Sequence, residues 1–145
     1  MDKQQLVDAA EALPPVSRAA ARNYAEHTDS LAAAVSHLLL QRQDLERLIG
    51  PGNRAMMEDN HRNHARFIAS LLESFDPQLL VESILWVFKA YCSNGFQLPY
   101  WPVQLDAWLK VLPQHLTPEA FREIEPLYHF MLCNQPSFAA LSEQA

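Results

Sequence analysis

Apolar residues recur along this chain at intervals of three and four, and strand-like alternation is nearly absent. Leu31, Val35, Leu38, Leu39, Leu45 and Leu48 keep helical spacing. Met57, His61, His64, Ile68, Leu71 and Phe75 advance by four, three, four, three and four. Trp101, Leu105, Trp108 and Leu112 form a third stripe. A period near 3.6 residues places such positions on one buried face of a helix. The chain therefore reads as all-α, a single compact domain of about seven helices.

Proline and glycine mark the joints between these stretches. The first helix is predicted over 2–12, stopped by Pro14-Pro15, and the second from Pro15 through SRAAARNYAEH. Thr28 or Asp29 is positioned to cap a third helix over 30–48, which Gly50-Pro51-Gly52 ends. Asn53 is expected to cap a helix over 54–74. Asp76-Pro77 starts one over 77–92 that stops at Asn94-Gly95. An oxygen acceptor followed by proline is a start signal, because the acceptor satisfies a first-turn N–H and proline has none to satisfy. Pro102 opens a helix to 112, ended by Pro113. Thr117-Pro118-Glu119 repeats the start signal for 118–133, with Pro126 inside as a kink, and a short turn over 136–143 closes the chain.

A length of 145 residues with 49% hydrophobic content suits one domain with one core. Residues 28–145 are taken as that core. Residues 1–27 present a narrow face of Leu6, Ala9, Ala10 and Leu13, then the alanines 19, 20, 21 and 25. Small residues permit close helix approach, so these N-terminal helices are expected to form the twofold contact of a homodimer.

Eleven basic residues lie scattered in a chain of net charge −6, which leaves no footprint for nucleic acid. No apolar run is long enough to span a bilayer. The start, MDKQQLVDAAEAL, lacks the charged and apolar regions of a secretory signal. Cys92 and Cys133 stand far apart in no metal-binding spacing. A cytoplasmic location with reduced thiols is expected.

The densest chemistry is EDNHRNHARF, residues 58–67. Glu58-x-x-His61 is half of the pattern used by di-iron bundles, which need a second such pair. Glu125 and His129 are four apart and do not supply it. A single metal on His61 and His64 needs further ligands, for which His37 and His129 are the candidates. Glu58 with Arg62 and Asp59 with Asn63 fit ordinary pairs on a solvated flank. No P-loop, GxGxxG, GxSxG or HExxH is present, and no serine has a matching His-Asp arrangement, so a non-enzymatic protein is expected.

Nearly all the aromatic residues lie between Phe67 and Phe138. Over 77–92, Leu79, Ile84, Val87, Phe88 and Tyr91 spread over more than one face, so that helix is expected to be buried on most sides. Trp101, flanked by Pro99 and Pro102, is expected to be partly exposed, and Trp108 buried. Two readings of this half stay open. One is plain core packing, with one histidine held inside by a hydrogen-bond partner. The other is a pocket for a small apolar ligand, built by His61, His64, Phe67, Trp86, Tyr91, Trp108 and Tyr128, with the histidines and tyrosines as its polar groups.

The string GFQLPYWPVQLDAWLKVL, with its L-x-A-W-x-K-x-L segment, follows the histidine-bearing helix and the Asp-Pro start. That order resembles a group of bacterial helical sensor domains. They include the non-haem globin-like N-terminal domains of stressosome sensor proteins and helical segments found beside cobalamin-binding domains. The resemblance spans about residues 20–134. It implies a globin-like helical sandwich, commonly dimeric and without enzymatic activity, that passes a signal to an attached or partner module. No output module is discernible here, so a signalling partner protein is expected. A haem globin would carry its proximal histidine on the helix before the glycine loop, and residues 77–94 contain none. A tetrapyrrole or metal held by His61 and His64 is the alternative function.

Overall fold

In the computed structural model, which describes residues 1–144, the chain is 77% helical, with no strand among those residues. Nine helices are described: α1 (Lys3–Glu11), α2 (Arg18–Ala25), α3 (Thr28–Leu40), α4 (Leu45–Ile49), α5 (Arg54–Glu73), α6 (Pro77–Cys92), α7 (Tyr100–His115), α8 (Pro118–Cys133) and α9 (Gln135–Ser142). The all-α reading holds. None of these helices is long and apolar enough to cross a membrane.

Local chemistry explains most starts. Asp2 and Gln5 exchange side-chain and backbone hydrogen bonds in a capping box that opens α1. Ser17 caps α2 through the Ala20 N–H. Asp76 and Thr117 accept the N–H groups of Leu79 and Ala120, each followed by the expected proline.

Several expectations fail at helix ends. The helix predicted over 30–48 is two helices, α3 and α4. Gln41-Arg42-Gln43-Asp44 carries no apolar side chain to hold a continuous stripe. Arg42 instead forks onto both carboxylate oxygens of Asp44 at 2.9 Å each, and the turn lets Leu45, Leu48 and Ile49 all reach the core. At the start of α3 the cap position is His27, with no side-chain cap bond from Thr28 or Asp29. Helix α7 begins at Tyr100 and runs past Pro113 to His115. Proline so near a C-terminus removes one bond from the last turn only.

Asn53 occupies the cap position of α5 but makes no cap bond. Its Nδ2 donates to the carbonyls of Ile49, at 2.7 Å, and Asn94, at 2.8 Å. The Gln97 N–H adds a bond to the Leu48 carbonyl at 2.8 Å. The turn before α5 and the loop after α6 are thus laced together through backbone. Gly50 has φ +87°, and a Cβ there would stand 3.1 Å from both Asn53 Nδ2 and the Gly95 carbonyl oxygen. Gly52, at φ +76°, faces open space. Left-handed backbone costs a non-glycine residue roughly 1–3 kcal/mol. Gly50→Ala is therefore expected to lower the urea midpoint more than Gly52→Ala, which bears the backbone strain alone. Equal midpoints would show that the loops do not meet as described.

Helix α5 is central, with α2 and α3 packed on it, while α7 bridges α3 and α8. Helix α6 packs on α1 and α9. It buries only Leu80, Val81 and Phe88, and leaves Leu79 48% and Trp86 68% exposed. The expectation that it is buried on most sides is overturned, because its neighbours cover one flank. Leu6 and Ala10 of α1 are buried, and α2 buries Ala20, Ala21 and Tyr24 in packing on α5 and α8. Residues 1–27 thus contribute to the core, and half of the face assigned to a twofold contact (Leu6, Ala10, Ala20 and Ala21) is already buried within the chain.

Candidate functional site

Between α5, α6 and α7, closed at one end by Met131 of α8 and Gln135 of α9, lies a half-open cavity of about 510 Å³. Four of the residues predicted for a pocket line it: His64, Phe67, Trp86 and Tyr91. The other three, His61, Trp108 and Tyr128, are not on its wall, and all are fully buried. They stand behind it, and their hydrogen bonds explain why polar residues lie on apolar stripes.

The first network is a chain across the core. His61 Nδ1 lies 2.8 Å from Ser36 Oγ, and Nε2 lies 2.9 Å from the Tyr100 hydroxyl. That hydroxyl donates to Asn60 Oδ1 at 2.9 Å. Its proton is therefore committed to Asn60, so it accepts from His61 Nε2–H. The neutral ring then accepts from the Ser36 hydroxyl at Nδ1. Asn60 lines the cavity. Ser36, on α3, lines a separate surface groove with His37, Glu58 and Arg62. The chain of bonds thus joins two faces of the molecule.

The second network backs the cavity wall. His64 Nε2 sits 2.8 Å from the Tyr128 hydroxyl, which is 2.7 Å from that of Tyr24. The His64 ring packs 4.5 Å from Trp108 between centroids. Burial pushes both histidines down to about 3, aided at His61 by the positive charges of His64 and Arg62. Burial also pushes Tyr24, Tyr100 and Tyr128 upward. At neutral pH the interior is an uncharged hydrogen-bonded system. Tyr91 is raised by burial against the opposing pull of Asn63 and Asn60.

Residues the sequence reading passed over complete the wall. Asn60, Phe88, Trp101 and Gln104 all line the cavity. Gln104 carried a legible signal, since it sits four residues from both Tyr100 and Trp108 and so on the buried stripe. The residue is only 2% exposed, its side chain makes no hydrogen bond to another described residue, and its polar atoms are not among the fully enclosed, unsatisfied ones. The Trp101 and Trp108 indole N–H groups, by contrast, are fully enclosed without a partner among the described residues. Trp101 is 3% exposed, which corrects the expectation of partial exposure. Its ring stacks on Phe88, with centroids 4.8 Å apart.

The metal reading loses its ligands. Both nitrogens of His61 are engaged, His37 bonds Gln41, and His129 lies 3.6 Å from Glu125 on the surface. Among the described residues no group of three or more His, Cys, Asp or Glu side chains converges. Arg62 pairs with Asp59, not with Glu58 as the spacing suggested. A tetrapyrrole fits poorly as well: the cavity offers one imidazole, and no lysine or arginine lines it to meet acidic substituents. No protein family, curated protein or solved structure matches the chain.

Proposed function

We propose that this protein is a non-enzymatic sensor module that takes a small, mainly apolar molecule into the cavity between α5, α6 and α7. One observation carries the reading: a half-open cavity of about 510 Å³ with aromatic walls, lined as well by His64 and the carboxamides of Asn60, Gln104 and Gln135. Ligand pockets have this size and this composition. His64, held down to about 3 by burial, is a neutral hydrogen-bonding group at physiological pH and poorly suited to move protons. That favours binding over catalysis. The chain Asn60–Tyr100–His61–Ser36 offers a route by which occupancy alters the α3 face, where a signalling partner would read it. The likeness to bacterial sensor domains, a globin-like arrangement and a cytoplasmic setting belong to the same proposal. A homodimer would draw on the exposed Leu79 and Trp86 of α6 rather than on α1 and α2.

The test is saturable binding of the neutral fluorophore N-phenyl-1-naphthylamine. One molecule per chain is expected to bind with a rise in emission, to be recovered unchanged, and to be lost in Ile84→Trp, which fills the cavity. Circular dichroism would show whether that variant keeps its helices. Failure of the unmodified protein to bind would sink the proposal, as would undiminished binding by a folded Ile84→Trp.

A further inference from the structure

The polar groups on the cavity wall also specify what kind of head group fits them. On the reading that the cavity is a ligand site, we infer that its ligand is an uncharged aromatic molecule presenting a lactam-type edge, an N–H beside a C=O, to the Gln104 carboxamide.

Charge is the first constraint. No lysine or arginine lines the cavity. Its one carboxylate, Glu82, is half exposed and already bonded to Lys3 at 2.9 Å and to Gln78 at 2.8 Å. An anion taken inside would lose its hydration and find no counter-charge, and a cation would compete with Lys3 for Glu82. The site selects a neutral guest.

Hydrogen bonding is the second. Three buried carboxamides line the space. Asn60 Oδ1 is engaged by Tyr100, and Gln135 Nε2 donates to the Met131 carbonyl at 3.0 Å. Gln104 alone of the three keeps both its donor and its acceptor without a partner among the described residues. A carboxamide pairs two-fold with a group that offers an acceptor and a donor side by side. A lactam edge is such a group: its N–H donates to Gln104 Oε1 and its carbonyl accepts from Nε2. A guest that covers this amide without pairing it leaves it buried and unsatisfied, which is costly, so the pairing discriminates against guests that lack it.

Shape is the third. Phe88 and Trp101 lie stacked on each other with only 11° between their planes, and both line the cavity. Phe67, Tyr91 and Trp86 stand around the same space. Flat rings bury well against such surfaces.

The experiment titrates the full chain with four probes: quinolin-2(1H)-one, its N-methyl derivative, naphthalene and 2-naphthoate. Calorimetry gives the affinities. The indole N–H resonances of Trp86 and Trp101 report whether the probe is in the cavity. Quinolinone is expected to bind best and to shift both resonances. The N-methyl compound, which loses the donor, is expected to be about tenfold weaker, and naphthoate weaker still. Gln104→Leu is expected to bring quinolinone down to the level of the N-methyl compound and to abolish its preference over naphthalene. Equal affinity for quinolinone and its N-methyl derivative, tight binding of naphthoate, or an undiminished preference in Gln104→Leu would overturn the inference. If the variant does not fold, the two comparisons on the unmodified protein still decide. If N-phenyl-1-naphthylamine binds but quinolinone gains nothing over naphthalene, this inference alone falls. If no neutral aromatic binds, the ligand site falls with it.

Discussion

Acidification from pH 7 to pH 4 is expected to cost this fold up to about 3 kcal/mol from each of His61 and His64. Burial holds both folded-state pKa values at about 3, against 6.5 for the free imidazole. Above 6.5 both states carry neutral rings, and the stabilisation is fully present. Below it the unfolded chain binds two protons that the folded chain refuses, so stability falls by about 1.4 kcal/mol per pH unit for each ring. The fall ends only as pH passes through the folded values near 3. The groups around His61 are Ser36 of α3, Asn60 and Arg62 of α5 and Tyr100 of α7, and those hydrogen-bonded to or packed on His64 are Tyr128 and Trp108. No carboxylate hydrogen-bonds either ring among the described residues, which removes the partner that would have reversed the sign. A domain of ordinary stability has about 5–15 kcal/mol to lose, so unfolding near pH 4 is anticipated. Urea denaturation at half-unit steps from pH 7 to 4.5 measures the slope. Replacing His64 with Gln should remove about half of it. A flat profile would mean that the rings are solvated.

The helical architecture was legible in the sequence because its cues are local. Asp76-Pro77 and Thr117-Pro118 state their own starts, and α6 and α8 have the predicted bounds, 77–92 and 118–133. The stripe Trp101, Leu105, Trp108 and Leu112 is buried throughout. Failures came where the outcome depends on residues distant in sequence. Nothing near 41–44 shows that turning the chain there serves Leu45, Leu48 and Ile49 better than a straight helix. Nothing within 77–92 shows that α1 and α9 cover one flank only. Asn53 was assigned to a cap, but an acceptor 41 residues away, the Asn94 carbonyl, takes its amide instead.

The candidate site was half legible for a related reason. Helical spacing puts His61 and His64 on the buried face; His61 is fully buried there and His64 partly buried at the cavity wall. It does not say which neighbour each ring meets, and that separates a cavity residue, His64, from a residue behind the wall, His61. Tyr24 lies 104 residues before Tyr128, to which it is bonded, and no local pattern ties the two. Gln104 was the readable clue left unread: a polar side chain on an otherwise apolar stripe needs either a partner or a ligand.

Trp101→Ala and Trp108→Ala are expected to destabilise by similar amounts, each on the order of 3–5 kcal/mol, as befits truncation of a buried large ring. The proline-flanked position of Trp101 suggests a milder loss, but the ring is as well covered as that of Trp108. Trp101 packs on Phe88, Tyr91, Phe96 and Tyr100, whereas Trp108 packs on His64 and Tyr128. Phenylalanine at either site should be far gentler. It keeps much of the apolar contact and removes an indole N–H that is buried without a partner, a group whose burial costs about 1–3 kcal/mol. The two sites should then part on ligand binding. Trp101 is a wall of the cavity, so its removal reshapes the space that a flat guest occupies, while Trp108 reaches that space only through His64. Urea midpoints at constant slope, with probe titrations on the phenylalanine variants, measure both effects. A loss below about 1 kcal/mol for Trp101→Ala beside a full loss for Trp108→Ala would show that the Trp101 ring lies in solvent, and that part of the cavity wall would go with it.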